Sequence, residues 1–214
     1  GNLNCNNATI QINAAASSQG PNFAYLWTTA NGNIVSGATT LTPVVNAAGI
    51  YILAIINNTS GCTATASTTV SQTPAVTASA TATNVSCNGG SNGSATVTPG
   101  GGAGNFTFLW SNNATTATIT GLPAGTYTVI TTDGENCTAS ASVTVMQPAV
   151  LAANASATGE SALGANDGTA TAAPTGGTSP YTYLWSNNAT TATITGLPPG
   201  NYTVSVTDAN NCTS

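Results

Sequence analysis

Polar and apolar residues alternate with a period of two along most of this chain. Ser94-Ala95-Thr96-Val97-Thr98 alternates, and so do Thr116-Ala117-Thr118-Ile119-Thr120 and Thr126-Tyr127-Thr128-Val129-Ile130. Amphipathic-helix spacing is absent. Thr, Val and Tyr favour a pleated, half-buried surface. Gly-Gly, Asn-Gly and Leu-Pro-x-Gly breaks return at roughly 8–12-residue intervals, the rhythm of antiparallel sandwiches. The pattern predicts an all-β chain. Its longest apolar run, Ala47 to Ile56, has ten residues. A membrane-spanning helix needs about 20, so this run reads as a buried strand.

The alternation is organised by an internal repeat. Leu109 to Pro123 reads LWSNNATTATITGLP, and Leu184 to Pro198 repeats all fifteen residues at an offset of 75. The match runs on through Gly125/Gly200, Tyr127/Tyr202, Val129/Val204, Asp133/Asp208 and Cys137/Cys212. A distant third copy precedes them. Tyr25-Leu26-Trp27 matches Phe108-Leu109-Trp110, Ala48-Gly49-Ile50-Tyr51 matches Ala124-Gly125-Thr126-Tyr127, and Cys62 falls in the place of Cys137. Gln72-Thr73-Pro74 and Gln147-Pro148 punctuate the chain into modules 1–72, 73–147 and 148–214.

Each module is expected to be a small immunoglobulin-like antiparallel β-sandwich of about six or seven strands. Trp27, Trp110 and Trp185, with Tyr51, Tyr127 and Tyr202, are the expected core aromatics. The tyrosine hydroxyls are placed to bond backbone, as at a tyrosine corner. Tyr181 and Tyr183 flank a Gly- and Pro-rich loop and are the alternative, sugar-stacking residues. Module one starts too close to Cys5 to hold the first strand that Val76–Thr83 supplies in module two. Module three stops two residues past Cys212, before the strand that Thr138–Val145 supplies. The chain therefore reads as a fragment of a longer array. The alternative is a subunit whose missing strand comes from a neighbouring chain.

Charge narrows the chemistry. The 214 residues include no Lys, Arg or His and five Asp plus Glu, a formal charge of -5. Charged residues make up 2% of the chain, against about 25% in an average soluble domain. With no cation to neutralise phosphate, nucleic-acid binding and docking on anionic membranes are excluded. Without His or Lys there is no ordinary general base, Schiff-base amine or imidazole ligand. A non-catalytic role without a resident cofactor is expected. Asp133, Glu135, Glu160, Asp167 and Asp208 read as turn residues. Calcium, held by Asp133 and Glu135 or near Asn166-Asp167-Gly168, is the one metal alternative. Sandwich edges usually carry Lys or inward charge against unwanted pairing; their scarcity here favours association with adjacent repeats or further copies. Twelve Asn-x-Ser/Thr sequons, Asn7, Asn84, Asn105, Asn113, Asn188 and Asn201 among them, follow from a composition this rich in Asn and Thr.

The five cysteines stand at least 25 residues apart. That spacing suits disulfides in an oxidising, extracellular setting better than a zinc cluster. Cys5 and Cys87 open their modules, while Cys62 and Cys137 precede last strands. The matching positions predict bridges Cys5–Cys62 and Cys87–Cys137. Each closes a loop of about 50 residues, worth roughly 3–4 kcal/mol. Module three reads Glu160-Ser161-Ala162-Leu163 where an opening cysteine should stand, so Cys212 is expected to be unpaired or intermolecular.

Leu-Trp-Ser-Asn-Asn-Ala-Thr-Thr-Ala-Thr-Ile-Thr-Gly-Leu-Pro-x-Gly-x-Tyr-Thr-Val, followed by Thr-Asp-x-x-x-Cys-Thr, resembles the SprB repeat of very large cell-surface adhesins of gliding Bacteroidetes. Cys87-Asn88-Gly89-Gly90-Ser91-Asn92-Gly93-Ser94 completes the family's opening in module two. The resemblance covers modules two and three. Module one is more similar to an immunoglobulin-like or PKD-like module. The resemblance implies export by type IX secretion, display on the outer surface, and a role in adhesion and gliding. A structural stalk and a glycan- or surface-binding module are the two functions to separate, with self-assembly by strand complementation as a third.

Overall fold

The computed structural model describes residues 1–214 and contains strands and no helix. Module one holds β1 (Asn2–Leu3), β2 (Ile10–Gln11), β3 (Phe23–Thr29), β4 (Ile34–Ser36), β5 (Val44–Val45), β6 (Gly49–Asn57) and β7 (Thr63–Gln72). They form two sheets, β1-β7-β6-β3 and β2-β5-β4. In immunoglobulin lettering these are A-G-F-C and B-E-D, the seven-strand plan with strand A moved to the G edge. Module one thus has a two-residue first strand where none was expected. It lies parallel to β7, Asn2 opposite Ser71 and Leu3 opposite Gln72. Alternation along β6 turns Gly49, Tyr51 and Leu53 inward, Ile50 and Ile52 outward. Leu3, Trp27, Val45, Tyr51, Leu53 and Val70 make the core.

Module two holds β8 (Thr77–Thr83), β9 (Gly93–Gly100), β10 (Thr107–Trp110), β11 (Thr118–Leu122), β12 (Gly125–Thr132) and β13 (Thr138–Val145). Its sheets are β11-β9-β8 and β10-β12-β13, or E-B-A and C-F-G. Module three repeats the plan with β14 (Ala155–Thr158), β15 (Gly168–Ala172), β16 (Thr182–Trp185), β17 (Thr193–Leu197) and β18 (Val204–Thr207). Trp110 lies opposite Val129, and Trp185 opposite Val204. Both E strands bulge at the glycine of Ile-Thr-Gly-Leu, where Gly121 and Gly196 take φ 70, a left-handed value that glycine adopts without penalty. Past Cys212, Thr213 bridges to Thr207, and Val206 and Ser214 exchange hydrogen bonds of 2.9 Å. These last residues begin a G strand beside β18.

Trp27, Tyr51, Trp110 and Trp185 are buried. Tyr127 and Tyr202 are half-buried, and Tyr202 packs against the Trp185 core. Each lies at the rim, its hydroxyl donating to the carbonyl of Pro123 (3.0 Å) or Pro198 (3.2 Å). Tyr51 makes the same bond four residues back, to Ala47 at 2.6 Å, and also accepts the Asn33 amide at 2.9 Å. The insertion around Asn31-Gly32-Asn33, present only in module one, folds over that ring and buries it. Tyr181 and Tyr183 are half-buried and pack against the Trp185 core, with the Tyr181 hydroxyl donating to Gly176 O at 2.6 Å.

The chain divides into two compact units. One comprises Gly1–Ser79, Thr98–Thr115 and Val129–Ala141; the other comprises Ala80–Val97, Thr116–Thr128 and Ser142–Ser214. Module two contributes residues to both, and each unit holds one disulfide.

Candidate functional site

Strand direction decides where each cysteine sits. β7 and β13 start directly after a late cysteine, Cys62 or Cys137, and end where the chain leaves for the next module. The opening cysteines lie at the far ends of these strands. Leu3, two residues before Cys5, pairs with Gln72 at the finish of β7. The Gly89 amide, just after Cys87, donates to Gln147 Oε1 at 2.7 Å, beyond the finish of β13. β7 has ten residues, roughly 30 Å at about 3.3 Å each. A disulfide requires Cα atoms about 4.4–6.8 Å apart. Pairing within a module is out of reach.

The bridges are Cys5–Cys137, with Cα atoms 5.7 Å apart, and Cys87–Cys212, at 5.6 Å. Cys62 is free and exposed. This corrects all three cysteine expectations: Cys5–Cys62, Cys87–Cys137 and the unpaired Cys212. Each opening cysteine bonds the late cysteine of the following module.

The late cysteines are held by an aspartate-capped turn. Asp133 Oδ1 accepts the amides of Glu135 (2.9 Å) and Cys137 (2.8 Å), and Oδ2 accepts that of Ala103 (2.8 Å). Asp208 does the same with Asn210 (2.9 Å), Cys212 (2.8 Å) and Thr178 (2.8 Å). Both carboxylates are buried, which disfavours charge unless hydrogen bonds supply it with donors. The Ala103 amide lowers the Asp133 carboxyl below its ordinary value; burial opposes, and the Cys137 and Glu135 amides help. Burial pushes Asp208 up, but the amides of Cys212, Thr178 and Asn210 together outweigh it. Glu135 Oε2 accepts the Asn4 side chain at 2.8 Å, and Asp167 binds the amide (2.8 Å) and hydroxyl (2.6 Å) of Ser161.

The intermodule linkers cross a glycine pair beside each turn. Gly102 N–H donates to Pro74 O at 3.0 Å, and Gly177 N–H to Ala149 O at 2.9 Å. Gly101 and Gly176 have φ 61 and 70, and a Cβ at either would overlap the carbonyl of Ala75 or Val150. Sequence reasoning missed this pair, although Gly101-Gly102 and Gly176-Gly177 recur at the offset of 75. Polar flanks complete each junction. Asn6 Nδ2 donates to Glu135 O at 2.6 Å in the first. In the second, Asn88 Nδ2 donates to Pro148 O at 2.9 Å and Asn210 Nδ2 to Ser86 O at 3.1 Å.

The family model of the SprB repeat matches residues 79–115 and 163–190, which lie within modules two and three. No curated protein matches the chain. Among solved structures, three N-terminal domains of the bacteriophage RB49 outer capsid protein Hoc are 14% identical, with a TM-score of 0.43, covering 84% of this chain and 71% of that one. The amphioxus IgVJ-C2 molecule is 14% identical, with a TM-score of 0.36 and coverage of 65% and 96%. A C-terminal intimin fragment, solved with the intimin-binding domain of its translocated receptor, is 17% identical with a TM-score of 0.36. That likeness covers 62% of this chain and 55% of the fragment, so the chain spans about half its length.

Proposed function

From these matches to the SprB repeat we propose that the chain is a non-catalytic, force-transmitting segment of a large secreted cell-surface adhesin or extracellular filament. Adhesion and gliding are its process, and type IX secretion its route of export. The observation that carries the reading is the junction, built twice from the same parts. A cystine joins consecutive modules, a buried aspartate fixes the cystine's turn, and a glycine pair seats the linker. Such a joint resists pulling because the covalent path bypasses most of the chain.

Through the two bridges the shortest covalent path from end to end runs over about 60 residues of the 214. At about 3.4 Å per residue, full extension reaches roughly 200 Å when oxidised and roughly 700 Å when reduced. Single-molecule stretching of the full chain, with and without reductant, reads this directly. Equal extension in both conditions contradicts a force-bearing covalent path.

Self-association is a second reading, supported by one observation. Leu26, Ile50, Ile52 and Ile56 are exposed on the outer face of β3 and β6, where registry places Ala24 opposite Ile56 and Leu26 opposite Ala54. Exposed apolar clusters of this kind serve contacts, and with no cation and few acids two copies meet there without repulsion. Sedimentation of the wild type against Ile52→Thr tests it: a concentration-dependent dimer lost in the variant supports the face, and a monomer at all concentrations removes it.

A further inference from the structure

Cys62 is the late cysteine without a partner. Its turn is one residue longer, with Asn57 in the aspartate's place and the Cys62 amide on Ser60 Oγ at 3.4 Å, yet it shares these features with those of Cys137 and Cys212. The residue before each cysteine is left-handed: Gly61 at φ 71, Asn136 at 62 and Asn211 at 64. Each cysteine carbonyl accepts the amide of the first turn residue at 2.9 Å, from Asn57, Asp133 and Asp208 respectively. That residue's side chain caps the turn in all three copies, Asn57 Oδ1 accepting the amides of Thr59 (2.9 Å) and Ser60 (3.2 Å). A threonine follows each cysteine.

Two of the three copies of this turn hold the opening cysteine of the preceding module. We propose that the third does the same: Cys62 bonds the opening cysteine of a further module of this repeat type, whose Cys-Asn loop docks on the end of module one that carries Cys62. The opening loops Cys5-Asn6 and Cys87-Asn88 define that partner's chemistry. Both are already bonded, so the partner cysteine lies outside residues 1–214. Cys137 is buried under its partner loop, whereas Cys62 is exposed where that loop would lie. The bond forms by thiol–disulfide exchange. Glutathione disulfide converts one thiol to a mixed disulfide, releasing one glutathione thiol. The other cysteine's thiolate then attacks the protein sulfur and expels the second.

Module three supplies the test. Ala162 stands in the opening-cysteine place; its carbonyl accepts the Ala165 amide at 3.0 Å, as that of Cys87 accepts Gly90 at 3.0 Å. It is exposed, beside a fully exposed Leu163. Ala162→Cys/Leu163→Asn therefore adds an opening Cys-Asn loop to a full chain that keeps both native bridges. In a glutathione redox buffer, copies are expected to link through the introduced cysteine and Cys62. Peptide mapping without reduction should find this mixed pair at least about tenfold more often than either like pair, the bias that modest loop–loop recognition confers. Adding Cys62→Ser should leave only like pairs. Mixed and like pairs in chance proportion, Cys62–Cys62 pairs alone, or no linked copies overturn the proposal. The inference does not rest on the surface role, so the stretching experiment and this one fail independently.

Discussion

The Cys5–Cys137 junction and the Cys87–Cys212 junction share a skeleton and differ at their flanks. In both, an aspartate Oδ2 takes one amide at 2.8 Å from the residue after the glycine pair, and Oδ1 takes the cysteine amide at 2.8 Å. The flanks attach differently. Asn4 and Asn6 reach Glu135 in the first junction; Asn88 reaches the linker and Asn210 reaches back to Ser86 in the second. Module one is only a distant copy, yet its opening loop meets the turn of module two as the opening loop of module two meets the turn of module three. The difference teaches that cystine, capped turn and glycine pair are common to these two joints, while the asparagines adapt to whichever module stands opposite.

The largest effect should come from the cystines, and it should be nearly symmetric. Their sequence separations are 132 and 125 residues, so chain entropy assigns each roughly 5 kcal/mol. The double variants Cys5→Ser/Cys137→Ser and Cys87→Ser/Cys212→Ser should lower urea midpoints by similar amounts. A loss confined to one pair breaks the equivalence of the junctions.

Glycine substitutions come next. Gly101→Ala and Gly176→Ala combine a left-handed backbone with overlap of the linker carbonyl, and each should cost roughly 3 kcal/mol or more. Gly104→Ala is the control. It has φ 76 but open space around it, and should cost only about 1–2 kcal/mol. Equal losses at Gly101 and Gly104 would show that the linker does not bear on the glycine pair.

Much of this architecture is legible in the chain. Period-two alternation marks β6 and β12, and the 75-residue repeat aligns Trp110 with Trp185 before any fold is known. Cystine pairing is not legible in spacing alone, because opening and late cysteines alternate along the chain whichever way they bond. The deciding fact is that a ten-residue strand separates Cys62 from the pole of Cys5, and strand direction, more than spacing, carries it. β1 was hidden because Asn2–Leu3 is too short to alternate. Tyr127 and Tyr202 look like Tyr51 in alignment, but only module one carries the insertion that covers the ring. Gly101-Gly102 resembles any loop until the linker is seen to cross it.

Acid should loosen both junctions over one pH window. Asp133 and Asp208 have lowered carboxyl values in the fold. Their stabilisation is therefore present above the ordinary value of 3.8 and is lost as pH falls through the lower folded value. Thermal midpoints should hold down to about pH 4 and then fall. Asp208→Asn should flatten part of that fall and lower stability at neutral pH, since its amide nitrogen presents a donor to a donor. A midpoint as steep as wild type in Asp133→Asn/Asp208→Asn would assign the acid response to other groups.

The smallest effects belong to the flanks, where the junctions should part company. Asn6→Ala removes a side-chain bond to Glu135 O, and Asn88→Ala one to Pro148 O. Both donors are exposed, so water replaces the lost partner and each change should cost only about 0.5–1 kcal/mol. The readouts nevertheless differ in place. Asn6→Ala should raise amide exchange in the Asp133–Cys137 turn, because its acceptor belongs to that turn. Asn88→Ala should raise it in the linker at Ala149–Leu151 and leave the Asp208–Cys212 turn protected, because Asn88 holds the linker and Asp208 holds the turn. Exchange spreading from Asn88→Ala into Asp208–Cys212 would mean that flank and skeleton are one cooperative unit, and the division drawn between them would fail.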